Sequence, residues 1–128
     1  MKTGSCICGA VRYTVNGPLR AVTACHCTQC RKETGSFYMS TEAADADLDI
    51  APSLALKWYR SSNFAQRGFC GTCGSNLFWK TDGSDRTSIT AGTLDGATGL
   101  TIAKHIFCAF KGDYYEIAAG PAQFPADG

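Results

Sequence analysis

Seven of the eight cysteines in this 128-residue chain lie in three short groups, and their spacing constrains the fold more than any other feature. The groups are a pair at positions 6 and 8, a triplet at 25, 27 and 30, and a pair at 70 and 73. Closely spaced thiolates are the ligands that a tetrahedral metal ion such as zinc prefers. Two pairs can close one site, whereas a triplet leaves one coordination position for chemistry. The sequence therefore predicts one structural and one open zinc site.

The two pairs predict a structural zinc site formed by Cys6, Cys8, Cys70 and Cys73. A glycine follows each pair closely, and its access to positive φ lets the backbone turn around the sulfurs. Structural zinc contributes about 10–16 kcal/mol of apparent binding free energy in small peptides. A domain of this size is stable by only about 5–15 kcal/mol, so we expect loss of this zinc to unfold the protein.

The triplet Cys25, Cys27 and Cys30 predicts a catalytic zinc site, at a strand end that runs into a helical turn. Three thiolates leave the zinc unit negatively charged, and this makes it a weak Lewis acid for activating water. A thiol that takes the fourth position loses its proton yet stays nucleophilic at neutral pH. The pattern therefore indicates activation of a thiol, not of water.

Other assignments of the cysteines stay open at this point. A protein side chain would close the triplet site if it supplied the fourth ligand, and Cys108, His105 and His26 are the candidates. Both zinc ions would then be structural. A disulfide framework is the less favoured reading, because neighbouring cysteines within such short groups rarely bond to each other.

Composition restricts the class of protein further. A length of 128 residues predicts a single domain, 1–128, with a core at about 3–118 and a short C-terminal tail. A net charge of +1 without a basic run gives no indication of nucleic-acid or membrane binding. The first residues contain no apolar stretch typical of a signal peptide. We therefore expect a cytoplasmic protein, where thiols stay reduced and available to metal.

Turn residues divide the chain into short alternating segments that favour strands. We expect a mainly β fold of several short antiparallel sheets, stapled by zinc and with little helix. The only helical turns predicted are 28–33 and 94–99. Strands are predicted at 10–15, 20–25, 37–40, 54–59, 76–80, 87–90, 105–108 and 114–117.

Five motifs in order along the chain resemble the family of glutathione-dependent formaldehyde-activating enzymes, which is also called the centromere-protein-V or GFA domain. The motifs are Gly4-Ser5-Cys6-x-Cys8-Gly9-Ala10-Val11-x-Tyr13, Cys25-His26-Cys27-x-x-Cys30-Arg31-Lys32-x-Thr34-Gly35, Arg67-x-Phe69-Cys70-x-x-Cys73-Gly74-Ser75-x-Leu77, Gly92-x-Leu94-Asp95 and His105-Ile106. The resemblance implies an Mss4-like β fold with two zinc ions per chain. It also implies a closed site at the two pairs and a reactive zinc at the triplet.

The activity that this resemblance implies is a carbon–sulfur lyase reaction, the addition of glutathione to formaldehyde to give S-hydroxymethylglutathione. Glutathione would be the co-substrate, and its sulfur would take the open position. Arg31, Lys32, Thr34 and Ser36 follow the triplet and are candidates to line the pocket, and His105 is a candidate for proton transfer. The partners expected are a small thiol and a small electrophile, and the oligomeric state is left open.

Two other functions compete with this one. The first is a non-catalytic, zinc-stabilised protein-interaction module, as other proteins of the Mss4-like fold are; a closed second site would favour it. The second is a nucleic-acid-binding zinc ribbon, which needs basic and aromatic residues on one face. Alternation along a strand would separate Trp58 from Tyr59 and Phe78 from Trp79, so core packing explains these aromatics better.

Overall fold

The computed structural model describes residues 1–128, with 41% of them in strands and 12% in helices, which confirms the mainly β class. The strands are β1 (Lys2–Ser5), β2 (Arg12–Val15), β3 (Val22–Cys25), β4 (Tyr38–Ala44), β5 (Leu48–Ile50), β6 (Leu56–Arg60), β7 (Ala65–Cys70), β8 (Asn76–Thr81), β9 (Arg86–Thr90), β10 (Ile102–Ile106) and β11 (Ala122–Gln123). The one α-helix is α1 (Thr28–Thr34), and short 3₁₀ turns lie at Asp45–Asp47, Ala91–Thr93 and Cys108–Phe110. None of the helices has the length and apolar character needed to cross a membrane.

The chain divides into two compact units. Unit 1 comprises Met1–Arg20 and Thr41–Thr98, and unit 2 comprises Ala21–Ser40 and Gly99–Gly128. Strand β4 begins in unit 2 and ends in unit 1. Each unit contains one of the two cysteine groups. The prediction of a single domain therefore stays a prediction.

Unit 1 is built from antiparallel strands. Strands β1, β2 and β5 form a three-stranded sheet, and β9, β8, β7 and β6 are successive neighbours in a second. Alternation sends Val11, Val15, Leu77 and Ile89 into a core where each is fully buried. The ring of Tyr13 packs edge-on against Phe78 at 5.5 Å within this core.

Unit 2 places β3 between β4 and β10. Strand β4 is antiparallel to β3, with Tyr38 opposite Cys25. Strand β10 is parallel to β3, with Ile106 opposite Cys25, and β11 is parallel to β10. These two pairings are parallel, whereas the strand pairs β1–β2, β2–β5, β3–β4, β6–β7, β7–β8 and β8–β9 are antiparallel, as expected from the sequence.

Two secondary-structure predictions are wrong. Residues 94–99 form no helix, because Leu94 bridges to Gly4 and because Gly96 and Gly99 have positive φ values of 66° and 72°. Residues 114–117 form no strand. The backbone carbonyl of Tyr115 accepts a hydrogen bond from the Lys111 side chain, so it pairs with no neighbouring strand.

The predicted strand at 105–108 ends early, because Cys108 begins a 3₁₀ turn. Phe107, which precedes this turn, has a φ of +55° and so leaves the extended conformation of the strand. Its N–H donates to the carbonyl of Ala126, and the N–H of Cys108 donates to the carbonyl of Phe124. Hydrogen bonds to the C-terminal segment therefore replace the continuation of β10.

Substitution of Gly4 by alanine tests the packing of unit 1. A Cβ at this position would overlap the Tyr13 hydroxyl and lie 2.6 Å from the carbonyl oxygen of Thr93. We expect Gly4→Ala to lower the free energy of unfolding by about 1–3 kcal/mol, as overpacked sites do. Urea denaturation of the zinc-saturated protein measures this change.

Gly92→Ala is the matched control, because a Cβ at Gly92 meets no atom within 4 Å and its φ is not positive. We expect its unfolding free energy to stay within about 0.5 kcal/mol of the wild type. Equal effects of the two substitutions would show that the contact at Gly4 does not limit stability.

Candidate functional site

The first cysteine group lies in unit 1 and joins the end of β1 to the end of β7. The Sγ atoms of Cys6, Cys8, Cys70 and Cys73 all lie within 4.8 Å of one another. Cys6 Sγ is 3.6 Å from Cys8 Sγ, which is 3.8 Å from Cys70 Sγ. Four sulfurs at about 2.3 Å from a tetrahedral zinc would be separated by about 3.8 Å. The two sulfur pairs with these separations lie close to this value, so the four donors could hold a zinc ion.

Two similar turns present these sulfurs. Gly9 and Gly74 have φ values of 79° and 82°, and their N–H groups donate to the carbonyls of Cys6 and Cys70. The glycines thus make the turns that their positions in the sequence predicted. Backbone amides also point at sulfur, because the N–H of Cys73 lies 3.4 Å from Cys70 Sγ. Such N–H groups stabilise negative charge on a thiolate.

Ser75 makes the second turn more favourable to a thiolate. Hydrogen bonds from its hydroxyl and its backbone N–H lower the pKa of Cys73 to about 5. The Ser75 hydroxyl also accepts from the N–H of Ile7, at 3.0 Å, and so ties the first turn to the second. One side chain therefore supports both halves of the four-cysteine group.

The second cysteine group lies in unit 2, where β3 runs into α1. Cys25 ends β3, Cys27 is the N-cap of α1 and Cys30 is buried in its first turn. The three Sγ atoms lie within 4.8 Å of one another. The N–H of Cys30 donates to Cys27 Sγ, at 3.3 Å, as expected for a helix cap. A strand end and a single helical turn thus bring the triplet together.

Among the three cysteines of the triplet, Cys27 is the one whose thiol loses its proton most readily. Hydrogen bonds from the Cys25 and Cys30 thiols lower the pKa of Cys27 to about 2, and backbone N–H groups of the first helical turn add to this effect. The same hydrogen bonding raises the pKa of Cys25, because its proton is shared with the neighbouring sulfur. Three thiols so close together favour the approach of a cation that replaces their protons.

No protein side chain joins the triplet as a fourth ligand, because Cys108, His105 and His26 are all outside the group of sulfurs. Both ring nitrogens of His26 are already occupied. Its Nδ1 lies 2.8 Å from the Tyr115 hydroxyl, and its Nε2 lies 2.9 Å from His105 Nδ1. The triplet therefore has three protein ligands, and none of the three candidates adds a fourth.

The two histidines are buried and uncharged at neutral pH. Burial lowers the pKa of both His26 and His105 below its usual value, and the proximity of the two rings lowers that of His26 further. The ring of His26 packs against Phe37, at 4.6 Å, and against Tyr115, at 5.6 Å. His105 is thus held inside an aromatic cluster by its partner, which favours a structural role over proton transfer.

The residues that follow the triplet have different environments. Thr34 Oγ1 donates to the Cys30 carbonyl at 2.8 Å and accepts from the N–H of Ser36 at 3.2 Å, so both residues help to end α1. Lys32 is exposed. Arg31 differs from them, because its Nε is buried and has no hydrogen-bond partner.

Sequence reasoning missed Phe37, Tyr114 and Tyr115 as neighbours of the triplet segment. The hydroxyl of Tyr114 donates to the carbonyl of Gly35, at 2.8 Å. None of the three belongs to a cysteine motif, and the two tyrosines are far from the triplet in the sequence. The only local signal was a tyrosine pair that was assigned to a strand.

Comparisons with known proteins identify the family of this chain. The sequence profile of the family described as glutathione-dependent formaldehyde-activating enzyme matches residues 1–110. A curated relative, an uncharacterized lyase of Schizosaccharomyces pombe, is 27% identical over 125 residues, which cover 97% of this chain and 90% of that protein. A crystal structure of a Rhodobacter sphaeroides protein is 25% identical, covers 76% of this chain and 91% of its own, and superposes with a TM-score of 0.62. Since the profile spans most of its length, the chain belongs to the family of glutathione-dependent formaldehyde-activating enzymes.

Proposed function

We propose that this protein is a zinc-dependent carbon–sulfur lyase that adds a small thiol, such as glutathione, to an aldehyde, such as formaldehyde. The observation that supports this most directly is the grouping of Cys25, Cys27 and Cys30 without a fourth protein ligand. Membership of the family supports the choice of thiol and aldehyde. The name of the S. pombe relative, an uncharacterized lyase, supports the reaction class.

We infer two zinc ions per chain with different roles. The four-cysteine group would hold a structural ion, because its own sulfurs fill every tetrahedral position. An ion held by the triplet would supply an open position where a thiol gives up its proton and stays nucleophilic. The three cysteines hold the site, and the substrate thiol would complete it.

The addition is balanced in atoms and electrons, and it needs no oxidant or reductant. The thiol sulfur forms a bond to the carbonyl carbon, the carbon–oxygen π bond breaks, and the proton lost by the thiol ends on the new hydroxyl oxygen. Negative charge develops on that oxygen, and a buried donor stabilises it. Arg31 follows Cys30 directly and has an unused, buried Nε–H, so we assign it this role.

Metal stoichiometry tests the division into two sites. We expect the wild type to bind two cobalt ions per chain, and Cys27→Ala to bind one tightly, because a pair of thiolates holds the metal poorly. Cys70→Ala should fail to fold, since it opens the four-cysteine group. Cobalt titration followed by sulfur-to-cobalt charge-transfer absorption and by circular dichroism measures both effects.

Cys108→Ala is the matched control, because Cys108 is a cysteine outside both groups. It should bind two cobalt ions like the wild type. Loss of one ion in this variant would identify Cys108 as a ligand and contradict the open site.

Glutathione binding tests the open position. We expect millimolar glutathione to intensify the charge-transfer bands of the doubly cobalt-loaded wild type and of Cys108→Ala, because a fourth sulfur enters the site. Cys27→Ala should show no such change. Unchanged bands in the wild type would favour the alternative function, a non-catalytic zinc-stabilised interaction module.

Catalysis is tested separately from binding. Formaldehyde and glutathione also combine without an enzyme, so the test compares rates: we expect the zinc-loaded enzyme to raise the rate of exchange between free formaldehyde and S-hydroxymethylglutathione. Exchange spectroscopy by NMR measures this rate at equilibrium. Cys27→Ala should return it to the uncatalysed value, and a wild type with no effect on the exchange would contradict the proposed activity.

A further inference from the structure

A chain of hydrogen bonds fixes the side chain that lies between two of the triplet cysteines. His26 is fully buried, and its two ring nitrogens contact Tyr115 Oη and His105 Nδ1 at 2.8 and 2.9 Å. The Tyr115 hydroxyl is hydrogen-bonded to His26 Nδ1, and His26 Nε2 is hydrogen-bonded to His105 Nδ1, with the donor in each pair set by the histidine tautomers. Every polar atom of the His26 ring is thereby used.

A second hydrogen bond fixes the other end of the triplet segment. Gly35 ends α1 in the left-handed conformation, with a φ of 92°, and its N–H donates to the Arg31 carbonyl. Its own carbonyl accepts from the Tyr114 hydroxyl at 2.8 Å. Adjacent tyrosines thus hold residues 26 and 35, on either side of Cys27 and Cys30.

Hydrogen bonds and close packing also fix the turn at residues 111–115, which carries the two tyrosines. Lys111 Nζ donates to the carbonyls of Gly112 and Tyr115, at 3.0 and 2.7 Å, and lies 5.3 Å from the centre of the Tyr115 ring. Gly112 is buried, and a Cβ there would lie 2.6 Å from Tyr114 Cε1 and 3.0 Å from Tyr115 Cε1. Only glycine lets both rings fold back over this turn. These contacts therefore fix the backbone from which the two tyrosine side chains project.

We propose that Tyr115 and Tyr114 are positioning residues for the three-cysteine segment, which they clamp at both ends. The inference rests on the proposed function only in taking the triplet to hold a metal. A site with three protein ligands lacks one bond of a closed site, so its affinity depends more on sulfurs that are already in place. Tyr115 also occupies Nδ1 of His26, the side chain beside two ligands, and His105 occupies its Nε2, so that neither nitrogen fills the open position.

Metal release tests this role. Zinc-loaded full-length protein is mixed with a chromogenic chelator, and the fast phase of release is assigned to the triplet by its absence in Cys27→Ala. We expect Tyr115→Phe to accelerate this phase about tenfold, the lower end of the effect of losing a supporting hydrogen bond around a metal site. The slow phase, from the four-cysteine group, should not change. Tyr114→Phe should accelerate the fast phase as well.

Tyr13→Phe separates positioning from general stability. It removes the hydroxyl of a buried tyrosine that bonds to Thr93 Oγ1 at 2.7 Å in unit 1. We expect it to lower the melting temperature and leave the fast phase unchanged. A fast phase that accelerates equally in Tyr13→Phe would overturn the inference.

Two further outcomes distinguish the inference from the proposed function. If the wild type releases two zinc ions and neither tyrosine variant alters the fast phase, the clamp is wrong and the open site stands. Tyr114 is exposed, so its variant folds even if Tyr115→Phe does not. If the wild type releases a single zinc ion in one phase, the proposed function fails and the inference falls with it.

Discussion

The structure depends on bringing together sulfurs that the chain keeps far apart. Cys6 and Cys8 follow the first strand, whereas Cys70 ends the seventh and Cys73 follows it, yet all four Sγ atoms lie within 4.8 Å. Four thiolates confined to so small a space repel one another, and a divalent cation removes that repulsion. The core of unit 1 is small and its strands are short, so a metal ion held at this junction would supply a large part of what holds it together.

The triplet has the same ligand type, and we propose a different purpose for it. Its three sulfurs come from one short segment, so grouping them closes no long loop and contributes little to the fold. Unit 2 supports them through side chains around His26, where two hydrogen bonds and two aromatic contacts meet. Family membership and the absence of a fourth protein ligand are consistent with the proposed function, in which a thiol would take that position.

Much of the site was predictable because short cysteine spacings act locally. A strand end followed by one helical turn was expected at the triplet, and α1 begins at Thr28 as the spacing indicated. Secondary-structure predictions failed where backbone groups bond to residues that are distant in the sequence. Leu94 bridges to Gly4 rather than beginning a helix, and Tyr115 gives its carbonyl to Lys111 rather than to a strand. Local pattern carries no information about such partners.

The sequence by itself determined the mainly β class, the partition of seven cysteines into four and three, and the glycine turns beside the pairs. These follow from side-chain chemistry and from neighbours only a few residues apart. The tertiary structure alone decided that Cys108 stays outside both groups, that His26 bonds to His105, and that adjacent tyrosines reach both ends of the triplet segment. The hydrogen bonds of His26 and of the two tyrosines join residues 79 or 89 positions apart. Only the parallel return of β10 beside β3 places His105 next to His26.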